Sequence, residues 1–233
     1  MIPLRDDNDP QRRPVVTPIL VGSCVLVYLW QLTLGQQGGQ AAVYALGVIP
    51  AVLLGHEALP KELAIVAPSA TILTSMFMHG GFMHLAGNML YLWIFGDNVE
   101  DSMGRARFVA FYLLCGAAAV FAQALPDPYS VVPMIGASGA ISGVLGAYLL
   151  LYPHARVLVV VPLGFVLQTL RLRAGLVLAL WFGLQLLSNV LAGPGDGGGV
   201  AFRAHIGGFV AGMALIPFFK YRERRLQMPF GHS

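Results

Sequence analysis

Six long apolar segments are the feature of this sequence that most restricts its fold. Only 11% of the 233 residues are charged, whereas soluble domains have about 25%. A helix needs roughly 20 residues to cross the hydrocarbon core of a bilayer, and about 17 at the lower limit. The segments that reach or approach this length are Val15–Leu34, Phe82–Phe95, Phe108–Leu125, Ser138–Tyr152, Leu176–Ala192 and Ala204–Phe219. We therefore expect an all-α integral membrane protein with six transmembrane helices, numbered here as spans one to six.

The positions of the basic residues predict how these spans are oriented. If the N-terminus is cytoplasmic, every Lys and Arg except Lys61 and Arg203 falls on the cytoplasmic side of a six-span chain. The positive-inside rule describes this distribution and predicts that both termini are cytoplasmic. Membrane topology thus accounts for the sequence pI of about 9.0, and we expect the lipid bilayer, not nucleic acid, as the partner of the basic residues.

The same pattern divides the chain into a membrane domain and two tails. We expect cytoplasmic tails at residues 1–14 and 220–233 and the membrane domain at 15–219. Glycines and prolines interrupt the apolar stretch Gly35–Met78, which favours an outer-leaflet loop with short helices over a straight span. The charge distribution alone does not decide this point, since an extra pair of spans here would also place both termini in the cytoplasm. Leu158–Val166 is predicted to be a cytoplasmic interfacial loop. The polar first residues predict no secretory signal, so we expect a multi-pass protein of the cell membrane, the inner or plasma membrane of a bacterium.

Polar residues within the spans gather near the outer face. Spans two, four and six run from outside to inside in this topology, and His84, Asn88, Ser138 and His205 lie near their outer ends. Such residues are expensive inside a membrane and by default indicate a functional site. His84 and Asn88 share one helix face because they are four residues apart. We expect the four side chains to meet in one layer.

Small residues predict that spans four and six pack backbone to backbone. The glycines at four-residue spacing are Gly139 and Gly143 on span four and Gly208 and Gly212 on span six. Such packing brings Ser138 to His205, whose imidazole can take the hydroxyl proton at neutral pH. The His84 ring, the Asn88 amide and backbone N–H groups at the start of span four are available to stabilise an oxyanion. These three spans carry no Asp or Glu near this layer, so we expect a Ser–His dyad without a third carboxylate.

Other polar residues are predicted to have structural roles. Gln185, Ser188 and Asn189 in span five are expected to form hydrogen bonds between helices, as polar residues in membrane helices often do. Glu100 and Arg105 are expected to cap the cytoplasmic end of span two. The glycine-rich segment Gly193–Val200 is predicted to be a flexible outer loop beside span six.

Three motifs resemble those of the rhomboid family of intramembrane serine proteases, and the resemblance covers the chain from about Leu73 to Leu215. Leu73–Asp101 carries the His-x-x-x-Asn pattern at His84 and Asn88, Gly136–Gly143 (GASGAISG) carries Gly-x-Ser-Gly, and Ala204–Gly212 carries a histidine followed by spaced glycines. The resemblance implies a six-helix fold that opens to the outside through a water-filled cavity. It also implies site roles: nucleophile Ser138, base His205, and oxyanion or substrate-binding residues His84, Asn88 and Gly136.

In this family the substrate is typically a transmembrane segment of another membrane protein, cleaved near its outer end without metal or cofactor. Other functions for these polar residues predict different patterns. A cluster of His79, His84 and His205 would suggest a metal site, but no carboxylate or cysteine joins it and the spacing is poor for shared ligation. A non-catalytic relative that only holds membrane clients is expected to lack Ser138 or His205. A transporter or channel is expected to carry polar residues through the whole bilayer, whereas these stop after about the outer two turns.

Overall fold

The computed structural model describes residues 2–163, 166–191 and 201–227. Its helices are α1 (Val16–Thr33), α2 (Gly35–Leu46), α3 (Pro50–Leu53), α4 (Thr71–Thr74), α5 (Phe82–Met103), α6 (Arg105–Ala124), α7 (Ser138–Leu151), α8 (Ala174–Leu191) and α9 (Phe202–Phe219). One antiparallel sheet has the strand order β1 (Ile2–Asp6), β2 (Arg156–Leu163) and β3 (Val166–Arg173). The predicted flexible loop Gly193–Val200 and the last six residues of the predicted C-terminal tail lie outside the described residues.

Four helices of the described chain are long and apolar enough to cross a membrane: α1, α6, α8 and α9. Helix α7 is apolar but has only 14 residues. Helix α5 has 22 residues and carries acidic side chains in its second half. The protein is therefore a mostly helical, multi-pass membrane protein.

The helices alternate in direction, which gives the bundle two distinct ends. Helices α5, α7 and α9 begin at what we call the site end, formed by His79–Asn88, Gly136–Ser142 and Phe202–His205. Helices α5 and α7 finish at the tail end, formed by Asp97–Met103, Tyr148–Leu151 and the chain segments that contact them. Between α5 and α6, Gly104 has a φ of 83° and a Tyr221 hydroxyl packed against it, a position that suits only glycine.

Helix α7 lies at the centre of the bundle, and its side chains Val144, Leu145 and Tyr148 are at most 1% exposed. Its glycines allow α9 to approach at backbone distance. A Cβ on Gly208 would overlap the carbonyl of Gly139, and a Cβ on Gly212 would overlap the carbonyl of Gly143. The predicted close packing of spans four and six is therefore confirmed.

The all-α expectation is wrong at the tail end, where a three-stranded sheet is present. Within the predicted interfacial loop Leu158–Val166, residues 158–163 belong to β2 and Val166 begins β3, while residues 164–165 lie outside the described chain. The predicted N-terminal tail contributes β1. The β2 sequence RVLVVVPL is rich in Val, a residue that favours strands. Val157 and Val159 are fully buried, whereas Arg156 is exposed and Leu158 is partly exposed, so alternate side chains face the protein interior. The run is thus a half-buried strand, and β1 supplies its second partner.

The stretch Gly35–Met78 forms short helices, as predicted, rather than a straight span. Helices α2, α3 and α4 follow one another with single-turn 3-10 segments at Pro68–Ala70 and Ser75–Phe77. Thr74 Oγ1 donates to the Leu46 carbonyl at 2.6 Å, and Val48 and Met134 form an isolated antiparallel bridge. These contacts fasten the outer loop to itself and to the segment that precedes α7.

Glu100 does not cap its own helix as expected, because its carboxylate reaches the start of α1. It accepts hydrogen bonds from the backbone N–H groups of Val15, Val16 and Thr17 at 2.8–2.9 Å and from the Thr17 hydroxyl at 2.9 Å. These N–H groups have no partner within α1, and a negative charge is favourable at a helix N-terminus. Glu100 therefore holds α1 antiparallel to α5.

Candidate active site

Ser138 and His205 are brought together at the site end by the close approach of α7 and α9. Ser138 is the first residue of α7, and His205 lies in the first turn of α9. The distance from His205 Nε2 to Ser138 Oγ is 2.9 Å, which is a hydrogen bond. Both residues are half-buried. A hydroxyl is thus in contact with a potential proton acceptor.

The other nitrogen of the His205 ring contacts Gln185 of α8, with 2.8 Å between His205 Nδ1 and Gln185 Oε1. An amide oxygen can only accept a hydrogen bond, so Nδ1 carries the ring proton. Nε2 then has a free lone pair directed at the Ser138 hydroxyl. The predicted interhelical bond of Gln185 is confirmed, but its partner was not foreseen. The sequence signal was one of three polar residues, with Ser188 and Asn189, in a largely apolar segment.

His84 lies close to Ser138 across Gly136, which has a φ of 123°. A Cβ on Gly136 would lie 2.8 Å from His84 Nε2 and 3.7 Å from Ser138 Oγ, so the missing side chain opens a space between these two groups. The Gly80 N–H donates to His84 Nδ1 at 3.4 Å. His84 Nε2 then carries the ring proton and faces that space. The Gly136 N–H itself donates to the Ser75 carbonyl at 2.8 Å, which holds the turn before α7.

Asn88 lies one turn along α5 from His84, and only 8% of its surface is exposed. Its Nδ2 is buried and has no hydrogen-bond partner within the part of the chain that the structure describes. A buried donor in this state costs about 1–3 kcal/mol. A native protein retains such a donor when it serves a purpose other than stability. The Asn88 amide is therefore available to a ligand.

His79 supports His84 rather than contacting Ser138 or His205. The rings of His79 and His84 meet edge to face with 5.2 Å between their centroids. Gln31, near the end of α1, bonds both the N–H of His79, at 3.0 Å, and its carbonyl, at 3.1 Å. Among the residues that the structure describes, no three His, Cys, Asp or Glu side chains gather as metal ligands. Cys24 and Cys115 are buried free thiols.

Comparison with known proteins gives a consistent family. Over 134 residues the chain is 34% identical to Rhomboid protein 1, mitochondrial, of Saccharomyces cerevisiae, covering 51% of this chain and 39% of the yeast protein. Over 91 residues it is 42% identical to Rhomboid protease GluP of Bacillus subtilis, covering 38% of this chain and 17% of that protein. Presenilin-associated rhomboid-like protein, mitochondrial, of Bos taurus is 33% identical over 93 residues, covering 38% of this chain and 24% of the bovine protein.

These alignments span less than half of each relative's length. The family comparison covers more of this chain, because residues 69–222 match the rhomboid domain. That range includes α5 to α9 and, of the residues described at the site, His79, His84, Asn88, Gly136, Ser138, Gln185 and His205. More than half of the sequence therefore matches one domain family, and the chain belongs to the rhomboid family.

Proposed function

We propose that this protein is a serine endopeptidase that hydrolyses peptide bonds in or near the transmembrane segments of other membrane proteins. Membership of the rhomboid family supports intramembrane protease function, and one of the relatives is named as a rhomboid protease. The observation that carries the proposal of a serine mechanism is the 2.9 Å contact between Ser138 Oγ and His205 Nε2. A hydroxyl beside a neutral imidazole is the arrangement needed to activate a serine nucleophile.

In the proposed reaction His205 acts first as a base and then as an acid. His205 Nε2 takes the Ser138 proton while Oγ bonds to the peptide carbonyl carbon, and the carbonyl oxygen becomes an oxyanion. His205 then gives the proton to the departing amine, which leaves an acyl ester on Ser138. Water attacks this ester with His205 again as base, which releases the new carboxyl terminus and restores the Ser138 hydroxyl.

We assign stabilisation of the oxyanion to the His84 Nε2–H and the Asn88 amide. Asn88 Nδ2 is buried without a partner in the described chain, and His84 faces the space that Gly136 leaves open. Preorganised donors of this kind act at the moment when negative charge develops on the substrate. Gly136 contributes by its missing side chain, since its own N–H is bonded to Ser75.

The topology that we propose has six spans, formed by α1 and α5–α9, with both termini in the cytoplasm. Support comes from the tail end, where Asp101 accepts hydrogen bonds from the Arg12 N–H at 3.0 Å and from the Arg224 guanidinium at 2.6 Å. Segments near both chain ends therefore lie on one side of the bundle. The domain limits stay at 15–219 with tails at 1–14 and 220–233, and the first tail carries β1.

The partners in this proposal are the bilayer and transmembrane protein substrates, with no metal, cofactor or nucleic acid. We keep the inner or plasma membrane of a bacterium as the proposed location. Similarity extends both to a Bacillus subtilis protein and to proteins with mitochondrial names. Membrane fractionation of the native host with an antibody to this chain tests the location directly.

The test of function is labelling by a serine-reactive fluorophosphonate in liposomes, together with mass-spectrometric mapping of products from a transmembrane substrate. We expect Ser138→Ala and His205→Ala to abolish labelling and cleavage. Ser142→Ala is the matched control, because Ser142 lies one turn further along α7 and donates only to the Ser138 carbonyl, at 2.6 Å. Labelling that survives Ser138→Ala, or that is lost equally in Ser142→Ala, contradicts the proposal.

A further inference from the structure

The His205 ring is held from the side opposite Ser138 by an uncharged group on α8. We propose that Gln185 is a positioning residue that keeps His205 in the reactive tautomer and takes the place of the carboxylate in a catalytic triad. This inference rests on the proposed serine protease function. It assigns to one amide a role that neither the motifs nor the comparisons with relatives include.

The geometry forms a chain of two hydrogen bonds through the imidazole ring. Ser138 Oγ lies 2.9 Å from Nε2 and Gln185 Oε1 lies 2.8 Å from Nδ1. With the ring proton held on Nδ1, the tautomer that has its lone pair on Nε2 is the one presented to the serine. When Nε2 gains the serine proton, the positive charge of the imidazolium is adjacent to the negative end of the amide dipole.

Trp181 lies one turn before Gln185 on α8 and also packs against His205, with 6.1 Å between the ring centroids. Residues four apart share a helix face, so Trp181 and Gln185 together contact the imidazole at its face and at one of its nitrogens. The flanking Leu184 and Leu187 are 60% and 53% exposed, as expected for side chains that face lipid. Gln185 is therefore an amide that an otherwise largely apolar stretch of α8 directs towards His205.

An amide suits this location better than a carboxylate does. A charged Asp or Glu within a membrane-spanning helix is costly because it must leave water. Glutamine offers the same acceptor oxygen without that cost, although it stabilises an imidazolium less than a carboxylate would. The triad carboxylate that the sequence lacks is thus replaced by a neutral acceptor from a neighbouring helix.

Other polar groups surround His205, but their contacts differ from the hydrogen bond that Gln185 makes to Nδ1. From α6, Gln123 Oε1 accepts the N–H of Ala204, at 3.3 Å, and does not bond to the His205 ring. On α5, His84 is a titratable residue near the His205 ring. On α9, Arg203 lies two residues before His205 and its side chain is exposed. From α7 the contact is Ser138 itself. Gln123 therefore provides a matched control: a glutamine that bonds to the same turn of α9 without touching the imidazole.

The experiment compares Gln185→Leu, Gln185→Glu and Gln123→Leu in liposomes, with Ser138→Ala as the inactive reference. We measure the rate of fluorophosphonate labelling, kcat and KM for a transmembrane substrate, the pH–rate profile and the thermal midpoint. We expect Gln185→Leu to lower kcat and the labelling rate about 10- to 100-fold, the effect of one hydrogen bond to a charged group. KM should be unchanged. Gln123→Leu should keep the wild-type profile.

Gln185→Glu restores the acceptor and adds a negative charge, so it provides a readout that a packing role would not produce. Because a nearby carboxylate favours a protonated imidazole, the acidic limb of the pH–rate profile should move to higher pH while the rate on the plateau recovers relative to Gln185→Leu. The inference is overturned if Gln185→Leu reacts within about threefold of wild type, if Gln123→Leu is equally slow, or if Gln185→Glu leaves the acidic limb in place. Labelling that persists in Ser138→Ala instead overturns the proposed function itself.

Discussion

The two ends of the bundle bury polar side chains in opposite ways. Each of the buried polar side chains near the end of α5 takes part in a hydrogen bond: Asn98, Glu100, Asp101 and Ser102. At the site end, Asn88 Nδ2 and His79 Nε2 are buried without a partner in the described chain. The difference indicates that a buried polar group with its partners inside the fold is structural, whereas an unpartnered donor such as Asn88 Nδ2 is available to a ligand.

The tail end uses its acidic groups to join segments that are far apart in sequence. Asp101 contacts Gln11 and Arg12 from the N-terminal segment and Arg224 from the C-terminal one. The Asp101–Arg224 ion pair has an Asp side chain that is 3% exposed and an Arg side chain that is 23% exposed. Breaking such a pair is costly because one buried charge is then left alone. We expect this end to determine stability and not the rate of catalysis.

The site end has the reverse character, because its polar groups are neutral and incompletely bonded. An unpaired buried donor such as Asn88 Nδ2 lowers stability by about 1–3 kcal/mol. It becomes useful when a substrate oxyanion takes up the hydrogen bond that the folded chain does not supply. Substitutions at the two ends should therefore separate activity from stability.

The largest expected effect is the fall in kcat caused by the Asn88→Ala substitution. Loss of one oxyanion donor lowers kcat about 100- to 1000-fold, while the thermal midpoint should stay the same or rise because an unpaired buried amide is removed. The measurement is kcat for a transmembrane substrate together with thermal unfolding of the same preparation.

Asn98→Ala is the matched control for Asn88→Ala, since both asparagines lie on α5 and are buried. Asn98 Nδ2 donates to Asp6 at 3.0 Å, and its Oδ1 accepts from Asn8 at 2.7 Å. This variant should lose about 1–2 kcal/mol of stability and label with fluorophosphonate at the wild-type rate. If Asn88→Ala lowers the thermal midpoint as much as Asn98→Ala does, the contrast between the two ends is refuted.

The next effect in size is the loss of stability in Glu100→Ala. This change leaves the N–H groups of Val15, Val16 and Thr17 without their acceptor, and we expect a loss of about 2–3 kcal/mol. For a chain of this length that corresponds to a thermal midpoint lower by roughly 4–12 °C. Thermal unfolding measures it, with the exposed Glu62→Ala as control. A Glu100→Ala protein that is as stable as Glu62→Ala but reacts slowly with fluorophosphonate would contradict the structural role assigned to Glu100.

Much of the helical fold could be predicted from residue type and spacing alone. The apolar runs correspond to α1, α6, α8 and α9 within a few residues, and the predicted fourth span begins, like α7, at Ser138. These features are local, because the length of an apolar run and the spacing of small residues are properties of one segment. The contact of Ser138 with His205 was predictable because glycines on both helices determine how closely those helices approach.

The features that were missed depend on pairings between distant segments. The strand β2 is a short apolar run that periodicity cannot distinguish from an interfacial loop, and its partner β1 comes from the N-terminal segment. Glu100 reaches the start of α1 and Gln185 reaches His205. In each case the sequence indicates a polar residue in an apolar setting, but the rotation and packing of two helices decide which partner it meets.

The smallest effect, and the one that sharpens the comparison most, concerns Asp6 at the end of β1. Asp6 accepts hydrogen bonds from Tyr148 and Asn98, yet burial raises its pKa from 3.8 to about 6 despite the Tyr148 bond, which lowers it. A carboxyl that holds its proton more tightly in the folded than in the unfolded state stabilises the fold when protonated. Stability should therefore fall as pH rises from about 4 to 6 and stay at the lower level above that range.

Asp6→Asn removes this dependence, because the amide keeps an acceptor oxygen and cannot ionise. After a discount for the half-exposed site, we expect the variant to be more stable than wild type at neutral pH by about 1 kcal/mol, or roughly 2–4 °C. The advantage should vanish below about pH 4, where both side chains are neutral. Thermal midpoints measured across this range test it, with the exposed Asp127→Asn as control. If the variant is less stable than wild type at neutral pH, the Asp6 carboxylate stabilises the fold as the Glu100 carboxylate does. Asp6 would then not differ from the other hydrogen-bonded polar groups of the tail end.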